Sequence, residues 1–86
     1  MLHTILRIPA VKARSGYSRS TIYLRIDQGL WTPPVRLGPR AVGWPADEVD
    51  ALNGARIAGQ TDEQIRALVE SLHAQRKGLA AAGGQG

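Results

Sequence analysis

The sequence contains no cysteine, which excludes disulfides, a thiol nucleophile and a zinc site with cysteine ligands. No apolar run approaches the roughly 18 residues that a membrane span requires. Residues 1–7 also lack the charged-then-apolar order of a signal peptide. A chain of 86 residues has room for one small domain. We therefore expect a small cytoplasmic protein that does not bind membranes.

Signatures of catalysis are missing as well. The two histidines, His3 and His73, are far apart in sequence, and neither belongs to a metal-spaced or triad-like pattern. No glycine-rich loop of the phosphate-binding kind is present. The sequence thus predicts no enzyme activity, no metal or other cofactor, and no small-molecule substrate.

Acidic residues are scarce in the first half of the chain. Residues 1–44 hold seven arginines and lysines against Asp27 alone, a net charge of +6, whereas residues 45–86 hold four against six acids, a net charge of −2. This asymmetry indicates a site for a polyanion in the first half. The alternative interpretation is a solvated basic surface without a partner.

The stretch at residues 16–29 predicts the turn and second helix of a helix-turn-helix. Gly16 suits a tight turn because it adopts positive φ without a Cβ penalty. Ser18 is a good N-cap, and Gly29 suits the left-handed residue after a helix. The predicted helix therefore covers residues 19–28.

Two faces are expected on this helix. Ile22 and Ile26 are four residues apart and point to the same side, toward the core. Arg19 lies at the start, and the opposite side carries Ser20, Thr21, Tyr23, Leu24 and Asp27. A recognition helix reads bases with its N-terminal residues. The alternative is a short surface helix with a polar face.

The segments before and after this helix suggest its partners. Residues 4–8 form a short β-prone run, and Pro9 suits the first position of a helix over residues 10–14. Past the prolines at 33 and 34, strand-like residues 35–37 and 41–43 flank a Gly-Pro-Arg turn. A hairpin after a helix-turn-helix is a wing, whose Arg36 and Arg40 are suited to phosphates or the minor groove. The alternative is an ordinary surface hairpin.

The second half predicts two helices. Pro45 suits the first position of one, whose Asp47, Glu48 and Asp50 we interpret as surface acids near the positive helix end. Val49 and Leu52 form its buried edge, and the helix ends near the Asn53-Gly54 pair or continues to residue 57. Trp44, between an apolar strand and this helix, is expected to be a packing residue.

The other helix begins with a capping box formed by Thr61 and Gln64. An apolar stripe then recurs at helical spacing, and Gly78 is the expected end. The stripe must be covered either by its own domain or by a second copy. We favour packing on its own domain in the free protein, with weak self-association through the stripe that strengthens on DNA. Its members are Ile65, Leu68, Val69 and Leu72.

Three motifs resemble the AlpA-type family of phage and prophage regulators over about residues 4–57. They are Leu-Arg-Ile-Pro-Ala-Val at 6–11, Ser-Arg-Ser-Thr-Ile-Tyr at 18–23 and Arg-Ala-Val-Gly-Trp at 40–44. The resemblance implies a winged helix-turn-helix like those of excisionases and MerR-type regulators. It further implies sequence-specific binding to double-stranded DNA, and control of integrase expression or prophage excision.

The predicted fold is therefore mainly α with a small β-hairpin. A winged helix-turn-helix domain at residues 4–57 is followed by an amphipathic helix at 61–78 and a disordered tail at 79–86. The predicted DNA-binding residues are Ser18, Arg19, Ser20, Thr21, Tyr23, Arg25, Arg36 and Arg40. Two other functions stay open: a small terminase-like subunit for DNA packaging, and a protein-interaction module with no specific DNA site.

Overall fold

The computed structural model describes residues 4–83, so His3 and the end of the predicted tail lie outside the described residues. This part of the chain is mostly helical with a small antiparallel sheet, as predicted. The elements, in chain order, are β1 Ile5–Leu6, α1 Ile8–Ser15, α2 Arg19–Asp27, β2 Val35–Gly38, β3 Ala41–Pro45, α3 Ala46–Ile57 and α4 Asp62–Gly83.

The turn between α1 and α2 is set by local signals in the sequence. Gly16 has φ 75°, and its N–H donates to the carbonyl of Lys12 at 2.9 Å, which closes α1. The Ser18 hydroxyl accepts from the Thr21 N–H at 3.2 Å and caps α2. Both helix boundaries here agree with prediction to within one residue.

The start of α1 differs from the prediction. The helix begins at Ile8 rather than at residue 10, and Pro9 lies within its first turn, where a missing N–H is tolerated. The β-prone run is correspondingly shorter, because only Ile5 and Leu6 pair as a strand.

The sheet has three strands in the order β1-β3-β2, all antiparallel. Leu6 lies opposite Trp44, and Arg36 lies opposite Val42. Because alternate residues of a strand share a face, these four side chains lie on one face of the sheet. The pairing of β1 with β3 was not predicted, since two residues are too few to show a period.

Two tryptophans fill the core in a chain without phenylalanine. Trp31 and Trp44 are 2% and 0% exposed, and they pack with Val11, Ile22, Val49 and Leu52. The Trp44 indole N–H donates to the carbonyl of Thr32 at 2.8 Å. The prediction that Trp44 is a packing residue is confirmed.

The start of α3 corrects two predictions. Pro45 ends β3 and precedes the helix instead of occupying its first turn. Glu48 is not a surface acid: it is 4% exposed and forms an ion pair with Arg76 of α4. This ion pair could not be predicted from the sequence, because Glu48 and Arg76 are 28 residues apart. The helix continues through Gly54 to Ile57.

Helix α4 packs on its own domain. The capping box is confirmed, since the Thr61 N–H donates to Gln64 Oε1 at 2.9 Å and the Gln64 N–H to Thr61 Oγ1 at 3.2 Å. Within the apolar stripe, Ile65 and Val69 are buried in the core, and the two leucines pack against it. The favoured intramolecular packing is therefore confirmed, whereas weak self-association through these residues stays a prediction.

The predicted end of α4 at Gly78 is wrong, because the helix continues to Gly83. One glycine inside a helix costs only about 1 kcal/mol relative to alanine. Leucine and three alanines follow at residues 79–82, and these are strong helix formers.

Replacing Ile65 with alanine tests whether α4 belongs to the core. We expect a loss of about 2–4 kcal/mol in the free energy of unfolding, because the side chain is 8% exposed. The loss should be the same at low and high protein concentration in urea melts. The control, Leu79→Ala on the same helix, removes a side chain that is 48% exposed and should cost less than about 0.5 kcal/mol. A melting temperature that rises with protein concentration would instead indicate packing between copies.

Candidate nucleic-acid interface

A cleft lies between the starts of α1 and α2 on one side and the β2–β3 hairpin on the other. It consists of two adjoining hollows that share Arg19, Arg40 and Val42. The first hollow also includes Tyr23 and Arg36, and the second also includes Arg7. No acidic residue lines either hollow. We call this surface the arginine cleft.

The four arginines of the cleft differ from the other five in the chain. Within residues 4–83, none of the four makes a hydrogen bond or ion pair with another side chain or with the backbone. The others are engaged elsewhere as donors; they are Arg14, Arg25, Arg56, Arg66 and Arg76. Within the described residues, the guanidinium groups that lack a hydrogen bond or ion pair are thus concentrated on one concave surface.

Aromatic contacts link Arg19 to the core. Its guanidinium carbon lies 5.8 Å from the centroid of the Tyr23 ring, one helical turn further along α2. The Tyr23 ring in turn meets Trp44 edge-on, with the centroids 6.3 Å apart. A cation over an aromatic face is stabilised by about 0.5–1 kcal/mol at exposed sites. Arg19 is therefore oriented by the Tyr23 ring, which itself packs against the buried Trp44.

The first turn of α2 carries three hydroxyl groups. Ser18 caps the helix and also donates to the Thr21 hydroxyl at 2.9 Å, so its oxygen is already engaged. Ser20 is exposed, and its hydroxyl lies 3.3 Å from that of Ser18. Ser20 is thus the member of this set with the most freedom to hydrogen-bond to a ligand.

Backbone dipoles add to the positive charge of the cleft. Ile8 and Pro9, which open α1, line it together with Arg19, which opens α2. Helix N-termini carry partial positive charge and favour anions. The cleft therefore combines four cationic side chains with two positive helix ends.

Arg25 is the predicted DNA-binding arginine that the structure places outside the cleft. Its guanidinium lies 5.7 Å from the centroid of the Tyr17 ring and donates to Gln28 Oε1 at 3.3 Å. It lines a separate hollow with Trp31 and Arg56. The physical reason is helical geometry, since six residues after Arg19 the side chain points to a different face.

Arg7 is the cleft residue that the sequence analysis missed. It stands just before α1 with an extended backbone, and the fold brings it to the hollow bordered by Arg19 and Arg40. The sequence contained one usable signal, the position of Arg7 two residues before a proline that opens a helix.

Among residues 4–83 no group of three or more histidine or acidic side chains is placed to hold a metal ion. No helix in this part of the chain has both the length and the apolar character needed to cross a membrane.

The fold and the cleft together are compatible with a small DNA-binding domain, mainly helical with a three-stranded antiparallel sheet. The chain belongs to the family described as Prophage CP4-57 regulatory protein (AlpA), which matches residues 4–52. The resemblance drawn from the sequence motifs is thereby confirmed at the level of a phage regulatory family.

One relative comes from Enterobacteria phage P4, a protein described as Uncharacterized protein ORF88. It is 47% identical over 55 residues, which cover 64% of this chain and 62% of the relative. The chain thus matches less than two thirds of that protein's length. No solved structure shows significant similarity to the chain.

Proposed function

We propose that the protein binds double-stranded DNA sequence-specifically and regulates transcription in a phage or prophage, by controlling integrase expression or excision. In this proposal α1 and α2 form a helix-turn-helix, α2 is the recognition helix and the β2–β3 hairpin is the wing. The observation that carries the proposal is the arginine cleft, because four guanidinium groups that form no hydrogen bond or ion pair within residues 4–83 surround one concave surface.

The division of labour follows from position. Arg19 and Ser20 lie at the N-terminal end of α2, the part of a recognition helix that reaches base edges in the major groove. Arg36 lies within β2, and Arg40 lies in the turn between β2 and β3. Hairpin arginines of this kind contact phosphates or the minor groove and fix the register of the protein on DNA.

The regulatory part of the proposal rests on the family. The family is described as a prophage regulatory protein, and the match covers β1 to most of α3, including every residue of the cleft. The packaging alternative has less support, because an oligomerising helix needs an uncovered apolar stripe. In α4 that stripe is packed on the protein's own core.

Arg19 and Arg40 should affect binding in different ways. A bidentate contact between arginine and guanine contributes about 1–3 kcal/mol of discrimination, so Arg19→Ala should relax sequence preference. Arg40→Ala should weaken binding to all duplexes alike and flatten the log–log salt slope by about one unit. The measurement is the Kd of each variant for a duplex selected from a random library and for its scrambled counterpart.

Arg14→Ala is the control for these two variants, because it also removes one positive charge. Its guanidinium lies outside the cleft in an exposed ion pair with Asp50 at 3.4 Å. Its binding should match that of the unmodified protein. The assignment is wrong if Arg40→Ala changes base preference while Arg19→Ala does not.

A further inference from the structure

Helix α4 holds both ends of the segment that joins α2 to the hairpin. The Arg66 Nε donates to the carbonyl of Gln28, directly after α2, at 2.9 Å. The Arg76 Nη2 donates to the carbonyl of Pro33, two residues before β2, at 2.8 Å. Two arginines of α4, ten residues apart, thus form hydrogen bonds with both ends of the segment between α2 and β2.

Arg76 is itself fixed by a buried carboxylate. Its Nε and Nη2 donate to the two carboxylate oxygens of Glu48 at 2.8 and 2.6 Å. The side chains of this pair are 18% and 6% exposed. A bidentate pair sets direction as well as distance, so the guanidinium reaches Pro33 from a defined position.

The middle of the segment is immobilised too. Leu30, Trp31 and Thr32 are buried, and the Thr32 carbonyl accepts from the Trp44 indole at 2.8 Å. Three carbonyls of this short connection are therefore bound by side chains from other elements. No helix or strand ladder needs these bonds, so they serve to fix the path of the chain.

We propose that α4 is a splint that sets the spacing between α2 and the β2–β3 hairpin, with Arg66 and Arg76 as positioning residues for DNA binding. The inference rests on the proposed function and extends it beyond residues 4–52, the region that the family matches. A helix and a hairpin held at fixed spacing engage one duplex together, because neither must be ordered anew after the other binds.

The first test uses variants that each remove one of the two hydrogen bonds from α4 to this segment, without leaving an unpaired charge in the core. Arg66→Met releases Gln28, and the double variant Glu48→Gln with Arg76→Met releases Pro33. Lys77→Met is the control, because Lys77 is exposed on α4 and its loss changes the charge as Arg66→Met does. Binding is measured at a temperature where melting curves show every variant to be folded.

Each splint variant should bind the selected duplex about tenfold more weakly, while Lys77→Met should bind normally. In a background carrying Arg36→Ala and Arg40→Ala the same substitutions should cost less than about twofold, because the hairpin no longer contributes contacts whose position matters. An equal loss in both backgrounds would overturn the proposal, since it would indicate general destabilisation.

The second test does not depend on DNA. Because the chain has no cysteine, Ser20→Cys on α2 and Pro39→Cys at the hairpin tip give two unique sites for spin labels. The distance distribution between them should be narrow in the otherwise unmodified protein and in Lys77→Met, and broad in both splint variants. An unchanged distance distribution in the splint variants would overturn the proposal that α4 sets the spacing between α2 and the hairpin. If the protein binds no duplex, the proposed function fails, and this distance measurement still decides the role of α4.

Discussion

Replacing Trp44 with alanine is expected to lower the free energy of unfolding by about 3–5 kcal/mol. A small domain has only about 5–15 kcal/mol in total, so the variant should be largely unfolded under mild denaturing conditions. The side chain is 0% exposed, lies opposite Leu6 in the sheet and contacts the Tyr23 ring edge-on. Its removal also leaves the Thr32 carbonyl without its donor.

Trp44→Phe is the matched control, because it keeps an aromatic ring in the site and removes the indole donor. It should cost less than the alanine variant, with about 1 kcal/mol from the lost hydrogen bond. Urea melts followed by circular dichroism measure both. An alanine variant that melts like the unmodified protein but no longer binds DNA would reassign Trp44 from packing to DNA contact.

Removing three arginines of the cleft together should have the largest effect on binding. In the variant Arg19→Ala, Arg36→Ala, Arg40→Ala, three phosphate or base contacts are lost. Counterion release gives each neutralised phosphate about 0.9 units of log–log slope, so at 0.1 M salt the two hairpin arginines contribute about 60-fold in affinity. Loss of the Arg19 contact with a base adds about 1–3 kcal/mol on the selected duplex. The Kd for the selected duplex should therefore rise by at least about 300-fold.

A second triple variant controls for net charge. Lys12→Ala, Arg14→Ala and Lys77→Ala also reduce the net charge from +4 to +1, but none of these residues lines the cleft. This variant should bind nearly as well as the unmodified protein. Similar losses in the two triple variants would show that overall charge, rather than the cleft, drives association.

Local signals in the sequence were enough to predict most helix boundaries. Gly16 and Ser18 determine the α1–α2 turn through a left-handed φ and a side-chain cap, and both act within four residues. Thr61 and Gln64 determine the start of α4 through the two hydrogen bonds of a capping box. Such features depend on neighbours in the chain and are therefore visible without the fold.

Features that depend on residues distant in sequence could not be predicted. Glu48 is buried because it forms an ion pair with Arg76, and the Pro33 carbonyl accepts a hydrogen bond from Arg76 because α4 passes beside it. Arg7 joins the cleft only because β1 pairs with β3 and thereby places the start of α1 beside the hairpin. The sequence indicated the basic half and named four residues that line the cleft, Arg19, Tyr23, Arg36 and Arg40, but not which arginines are left without a hydrogen bond or ion pair.

The central claim is that the arginine cleft binds the phosphates of a specific DNA duplex. The most direct test is the Kd of the unmodified protein for its selected duplex as a function of salt concentration. Arg7, Arg36 and Arg40, if each neutralises one phosphate while Arg19 contacts a base, predict a log–log slope of about −2.7, with weaker binding to scrambled duplexes at every salt concentration. A slope near zero, or equal affinity for all duplexes, would contradict the account.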